Sequence, residues 1–218
     1  MISIESINNL SNDEHVKIRQ AADRMGLKIT DQMIRQWLEY LDLLIKWNKT
    51  YKMTAITQKS EMLIKHLFDS LSVAHFIKGD NTIDVGSGGG VPGIPLAILM
   101  PSHSFTLIDS IGKKTRFLEH VVRTLELANV EVVKARVEQF CPPIEFDNII
   151  SRAFSSIGDF YRLTAHLVAA EGGQWLAMKG ADIEKENLEI LEQRGRLVEI
   201  HELEVPFLQA KRHVVVID

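Results

Sequence analysis

Residues 82–98 read "TIDVGSGGGVPGIPLAI". A short apolar run carries an acid at Asp84, four glycines fall within the five residues 86–90, and a helix-like segment opens around Pro92 and Pro95. Apolar strand, glycine turn and helix start are how open α/β sheets bring backbone against a cofactor. Two registers fit. Gly88, Gly90 and Gly93 match G-x-G-x-x-G, the dinucleotide pattern, with Asp109 at about the spacing of a ribose-binding acid. In that pattern the first glycine comes directly off the strand, whereas Gly86 and Ser87 intervene here. Asp84, Gly86, Gly88 and Gly90 instead match D-x-G-x-G-x-G, whose glycines begin where the apolar run ends.

The periodicity around this loop says what kind of sheet it serves. Upstream, Thr30 can cap a helix in which Ile34, Trp37, Leu38, Leu41, Leu44 and Ile45 recur at three- and four-residue steps. Ser60 can cap another, with Leu63, Ile64, Leu67, Phe68 and Leu71 on one face, and a shorter helix fits 13–24. Downstream, β-branched runs near 82–86, 104–109, 130–134, 146–151 and 173–178 alternate with helical ones near 93–100, 113–127, 157–169 and 182–193. Such alternation calls for a mostly parallel sheet covered by helices on both faces. The tail differs: "RLVEIHELEV" and "RHVVVID" are separated by a connection too short for a parallel crossover, so the sheet ends in an antiparallel pair. The expected organisation is a helical extension over 1–78 packed on an α/β domain over 79–218.

Composition bounds the setting. The 218 residues suffice for a sizeable core without staples, and 45% apolar with 25% charged residues is the balance of an ordinary soluble globular chain. Cys141 is the only cysteine, which excludes an intrachain disulfide and a multi-cysteine zinc cluster and suits a reducing cytosol. No metal is assigned. The N-terminus lacks a basic flank and a continuous apolar core, and no run reaches the roughly 20 apolar residues of a membrane span. The expected location is the cytoplasm, with no membrane partner. A net charge of -4 means that any nucleic-acid partner is met by a local patch.

Alternating strands closed by an antiparallel pair resemble the Rossmann-like sheet of S-adenosylmethionine-dependent methyltransferases, seven strands with an antiparallel terminal strand. A nicotinamide-binding sheet lacks that ending. D-x-G-x-G-x-G is likewise the methyltransferase pattern. Adenosylmethionine has no pyrophosphate, so its loop has no need to aim a helix N-terminus at an anion. It needs glycines so that backbone can pack against the amino-acid end, and an acid nearby to orient the ammonium or sulfonium region, a role that fits Asp84. Asp109 closes the second strand beside Ser110, where a carboxylate can accept both ribose hydroxyls.

"HLFDSLSVA", "IDVGSGGGVPGIPLAI", "FTLIDSIGKKTRFLEHV", "ISRAF" and "LAMKG", in this order and at these spacings, resemble the RsmG family, once called glucose-inhibited division protein B. The similarity runs from about Trp47 to the C-terminal strand. It implies methylation of N7 of a guanine in bacterial 16S ribosomal RNA, in the 530 loop, with adenosylmethionine as cofactor and the RNA or a small-subunit assembly particle as partner. It also implies cofactor contacts at Gly86, Val91, Val137, Glu138 and Arg152, beside Ser87, Gly88, Gly90 and Ser110 of the same two loops. One position departs: where the family usually reads Y-N-L-T, this chain has "YKMT", with Lys52 in place of the asparagine.

The remaining polar residues suggest the substrate side. His66, Asp69 and Ser70 lie three and four apart, on one helical face opposite the apolar stripe. Lys113, Lys114 and Arg116 crowd the first turn of a helix, where the macrodipole disfavours cations, and phosphate contact would account for them. Arg152 and Lys179 sit at the carboxyl ends of two strands, the edge at which such sheets bind ligands. Arg152, Lys179, His66 and Asp69 are therefore candidates for positioning substrate. Absent motifs limit the chemistry. Cys141 lies in a loop before the fourth strand without a basic partner and reads as structural rather than as a nucleophile. "SRAF" stands where adenine amino-methylases carry an N-P-P-Y-like segment. Guanine N7 has a free in-plane lone pair and needs no base. The alternatives are a small-molecule methyltransferase, a nicotinamide-dependent oxidoreductase and a noncatalytic RNA-binding factor.

Overall fold

The computed structural model describes residues 4–152, 154 and 156–218, with side chains from residue 13 onward except at 185, 190 and 192. Two long helices, α1 (Ile4–Arg24) and α2 (Asp31–Tyr51), precede a helix in three pieces: α3 (Lys59–Met62), a π-helical turn (Leu63–Phe68) and α4 (Asp69–Leu71). The sheet domain then runs β1 (Asn81–Val85), α5 (Gly93–Leu99), β2 (Ser104–Asp109), α6 (Gly112–Thr124), β3 (Val130–Lys134), β4 (Asn148–Ser151), α7 (Ile157–Thr164) and β5 (Gln174–Lys179). After it come α8 (Glu189–Glu192), β6 (Val198–Leu203) and β7 (Arg212–Ile217). Among the described residues no helix is long and apolar enough to cross a membrane.

The seven strands lie in the order β3-β2-β1-β4-β5-β7-β6. β1 to β5 pair in parallel, and β7 inserts antiparallel between β5 and β6. This is the expected α/β sheet with its antiparallel ending. Strand order reverses between β1 and β4, which opens a crevice at their carboxyl ends. The loop 86–92 leaves β1 at that point.

One face of the sheet is covered by α7, packed on Ile83, Ile149, Trp175 and Val215. On the other, α1 and α2 share one continuous core with α5 and α6, through Ile18, Ile34, Trp37, Leu41, Ile94 and Leu118. Thr30 caps α2 as its sequence suggests, its side chain accepting from Met33 N–H at 3.2 Å. The buried stripe of α2 then reaches the loop itself: Trp37 Nε1 donates to Pro95 O (3.1 Å) and Tyr40 Oη to Gly89 O (2.6 Å). The helical extension is thus a wall of the cofactor loop.

Four local expectations are corrected. Ser60 does not cap a helix; α3 begins at Lys59, whose ammonium is drawn to Glu14 (3.2 Å) and Asp42 (2.7 Å). The helix expected over 182–193 is a 3-10 turn (Ala181–Lys185) followed by the short α8. Glu186 between them turns inward to Lys179 (2.7 Å) and Ile157 N–H (2.9 Å). α7 stops at Thr164 because residues beyond it bond in extended form to Phe146. Cys141 is exposed, so it packs no core.

Candidate cofactor and substrate site

Left-handed backbone at Gly90 (φ 91°) lets the loop turn back under the sheet edge, and a Cβ there would meet Ile94 at 2.7 Å. Gly93 serves a different need: a Cβ would lie 2.8 Å from Asp84 Oδ2, so its hydrogen is what allows α5 to pack on β1. Both glycine registers therefore have a physical basis, one for the cradle and one for helix-strand contact.

Two acids hold the cradle. Asp84 is fully buried; its Oδ2 accepts Gly93 N–H at 3.0 Å, and Oδ1 has no partner among the described residues. Burial pushes its carboxyl up to about 7, against the Gly93 N–H and the Arg152 charge, which favour ionisation. Its side chain lines none of the cavities described below, so it acts on a ligand through the loop it braces. Asp109 accepts Gly88 N–H with Oδ2 (3.0 Å) and Ile111 N–H with Oδ1 (2.9 Å), tying the loop after β1 to the loop after β2. Asp109 also lines the first of the cavities described next.

Three cavities line the carboxyl edge of the sheet. The first, about 220 Å³, is bounded by Gly86, Asp109, Ser110, Val137 and Glu138. The second, about 250 Å³, is bounded by Gly86, Ser87, Gly88, Val91, Lys114 and Arg152. Gly86 borders both. The third, about 380 Å³, is bounded by His66, Asp69, Arg152, Lys179, Gly180 and Arg212, and meets the second at His66 and Arg152. A carboxylate in the first cavity, a backbone cradle and a second cavity sharing Gly86 with the first fit adenosylmethionine.

His66 and Asp69 are buried, not on a solvated face, and Ser70 donates within the helix to His66 O (2.6 Å). His66 lies in the π-helical turn and Asp69 directly after it, and both meet Arg152. Arg152 Nη1 donates to Lys65 O (2.9 Å) and Asp69 Oδ2 (3.0 Å), and Nη2 donates to His66 Nδ1 (3.2 Å). His66 Nδ1 faces two opposite demands, the Arg152 guanidinium, which only donates, and Lys65 O at 3.1 Å, which only accepts, while Nε2 lies 2.9 Å from Thr54 Oγ1. Burial and the Arg152 charge pull His66 down to about 4. Arg212 Nε donates to the other Asp69 oxygen at 2.9 Å.

The three α6 cations divide. Lys113 and Arg116 are exposed, Arg116 donating to Gly112 O (3.2 Å), whereas Lys114 turns inward to Asp109 (3.5 Å) and lines the second cavity. Lys179 is held by Phe154 O (2.9 Å) and Glu186 (2.7 Å) at the rim of the third. Ala153 of the "SRAF" stretch lies outside the described residues. Sequence reasoning missed Tyr40, although it falls on the α2 stripe three residues after Trp37. It also missed Arg212, which has no local signal because its partner is 143 positions away.

The sequence profile described as rRNA small subunit methyltransferase G (GidB) matches residues 33–215. A ribosomal RNA small subunit methyltransferase G from Francisella tularensis subsp. tularensis is 53% identical over 201 residues, covering 92% of this chain and 95% of that one. Among solved structures, a precorrin-6y C5,15-methyltransferase from Geobacter metallireducens is similar with TM-score 0.55 and 14% identity, over 69% of this chain and 86% of that one. A SAM-dependent methyltransferase from Aquifex aeolicus is similar with TM-score 0.53 and 20% identity, over 72% and 92%. The structures share the fold, and the sequence similarity extends through the glycine loop, the π-helical turn and the terminal strands. On that ground the chain belongs to the rRNA small subunit methyltransferase G family.

Proposed function

We propose that this protein transfers the methyl group of adenosylmethionine to N7 of a guanine in 16S ribosomal RNA, in the cytoplasm, on the RNA itself or on an assembling small subunit. The observation that carries the reading is the junction at His66 and Arg152, where the crevice of the glycine loop opens into the arginine-bordered cavity. When bound, the cofactor supplies an electrophilic sulfonium methyl. Asp109 would accept the ribose hydroxyls, and the backbone at Val137 and Glu138 would border the adenine. Gly86, Ser87, Gly88, Gly90 and Val91 would pack against the methionine end, with Asp84 bracing their loop from below.

Guanine N7 offers a lone pair and no proton, so these residues have to align rather than deprotonate. His66 suits that need, being neutral and held on both ring nitrogens. Asp69, paired with both Arg152 and Arg212, would hold the two guanidinium groups in place at the border of the third cavity. Lys113 and Arg116 would meet phosphate on the outer surface. The test is methyl transfer from labelled cofactor to small subunits lacking the modification, with 7-methylguanine mapped in cells with and without the gene. Transfer that never reaches RNA would leave a small-molecule acceptor as the alternative.

A further inference from the structure

The connection between β6 and β7 carries a cluster that methyl transfer does not use. Residues 205–208 form a β-turn closed by Leu208 N–H donating to Val205 O at 3.1 Å. Pro206 occupies its second position and Phe207 its third, with φ 66°. A positive φ at the third position is the mark of a type II turn, which takes Gly or Asn there; a phenylalanine is strained. The strain is not repaid by full burial, because Phe207 remains 39% exposed, with Phe68 6.0 Å away between ring centroids. Strain of this kind collects where a side chain has work outside the fold.

Two cations from α1 stand over the ring, Lys17 Nζ at 5.0 Å and the Arg24 guanidinium at 4.8 Å from its centroid. Among the described residues neither is paired with a carboxylate. The distinction matters. A carboxylate would cancel the charge and occupy the N–H donors, whereas an aromatic face holds a cation in place and leaves both available. Arg24 and Phe207 border a hollow of about 460 Å³ lined also by Leu203 and Lys211. Leu203 lines the third cavity as well, and Arg212, next in sequence to Lys211, stands inside it. The hollow and the third cavity thus share the Leu203 side chain as a border.

We propose that Phe207, Lys17 and Arg24 form an anchor for RNA backbone phosphate beside the mouth of the substrate cavity. The inference rests on the RNA reading above. Glu202 and Glu204 line the same hollow, and their charge keeps phosphate off its floor, so the backbone runs along the α1 rim. RNA binding is dominated by such neutralisation, and a chain with a net charge of -4 needs local anchors of this kind.

The test compares the parent with Lys17→Gln/Arg24→Gln and with Phe207→Gly. Binding to 16S ribosomal RNA transcribed in vitro is followed over a salt series, and methylation kinetics are measured on small subunits from cells lacking the enzyme. Loss of two phosphate contacts lowers the slope of log affinity against log salt by about 1.4 for single-stranded RNA. The double variant is expected to show that drop and a several-fold higher KM, with kcat and adenosylmethionine affinity unchanged. Phe207→Gly removes the turn strain, so it is expected to melt no lower than the parent while losing RNA affinity in the same way. Unchanged salt slope and KM in both variants, with an active parent, would overturn the anchor. So would a Phe207→Gly protein that melts lower but keeps its RNA affinity. A parent that methylates no RNA would overturn the function itself, a result visible without any variant.

Discussion

Arg152 Nη2 stands 3.2 Å from His66 Nδ1, and its charge adds to burial in keeping the histidine neutral. A protonated ring would be a buried cation beside the Arg152 guanidinium, a cost that the Lys65 carbonyl at 3.1 Å from Nδ1 only partly offsets. His66 therefore stays neutral across the physiological range, its pKa down at about 4.

For catalysis, the single-turnover rate with RNA bound is expected to stay level from mildly acidic to neutral pH. His66→Gln keeps an acceptor for Arg152 and a donor for Thr54, so it should lose little rate and keep the same profile. A steep acidic limb near pH 6.5 that vanishes in the variant would identify a general base and exclude N7 as the only nucleophile.

For stability the sign follows from linkage. The unfolded chain protonates His66 near 6.5 and the folded chain near 4, so stability is full above 6.5 and falls as pH drops through that interval. The loss should reach roughly 3 kcal/mol at the acidic end. Urea unfolding at pH 7 and pH 4.5 should show a smaller acid loss in His66→Gln than in the parent.

Asp84 carries the opposite sign. Its folded pKa of about 7 exceeds the usual 3.8, so its contribution is full below 3.8 and is lost as pH rises toward 7. Asp84→Asn retains an oxygen for Gly93 N–H without the buried charge. The variant should gain stability relative to the parent at pH 8 and lose that advantage at pH 4.5; an equal difference at both would show that Asp84 is ionised throughout.

Lys52 ends α2 in left-handed backbone, φ 54° and ψ 58°, with an exposed side chain. Asparagine tolerates that conformation better than lysine, which gives the usual family residue a structural reason at this position. Lys52→Asn should recover part of the roughly 1–2 kcal/mol that left-handed backbone costs. Thermal unfolding checks this, with methylation kinetics expected to stay unchanged.

The α6 cations should separate by function. Lys114→Ala is expected to alter adenosylmethionine affinity in calorimetry, since its ammonium faces Asp109. Lys113→Ala with Arg116→Ala should leave that affinity in place and flatten the salt dependence of RNA binding. Asp109→Ala should lose cofactor affinity most, by about 1.5–3 kcal/mol for a charge-assisted hydrogen bond.

The sequence alone determined the architecture: period-two runs alternating with helical ones, a glycine loop leaving the first strand, and a terminal hairpin too tight for a crossover. These are local patterns, set by backbone sterics and by which face of each element is apolar, so they are legible along the chain. The helices expected over 157–169 and 182–193 are cut short because Leu167 and Ala169 bond to Phe146, and Glu186 to Lys179, from outside each segment. The functional knot was less legible still. The spacing of His66 and Asp69 names them as candidates on one helical face, but not their partners: Arg152, just after β4, and Arg212, at the start of β7. Burial and charge pairing are properties of neighbours in space. Residues 83 and 143 positions apart become such neighbours only once the sheet order is in place.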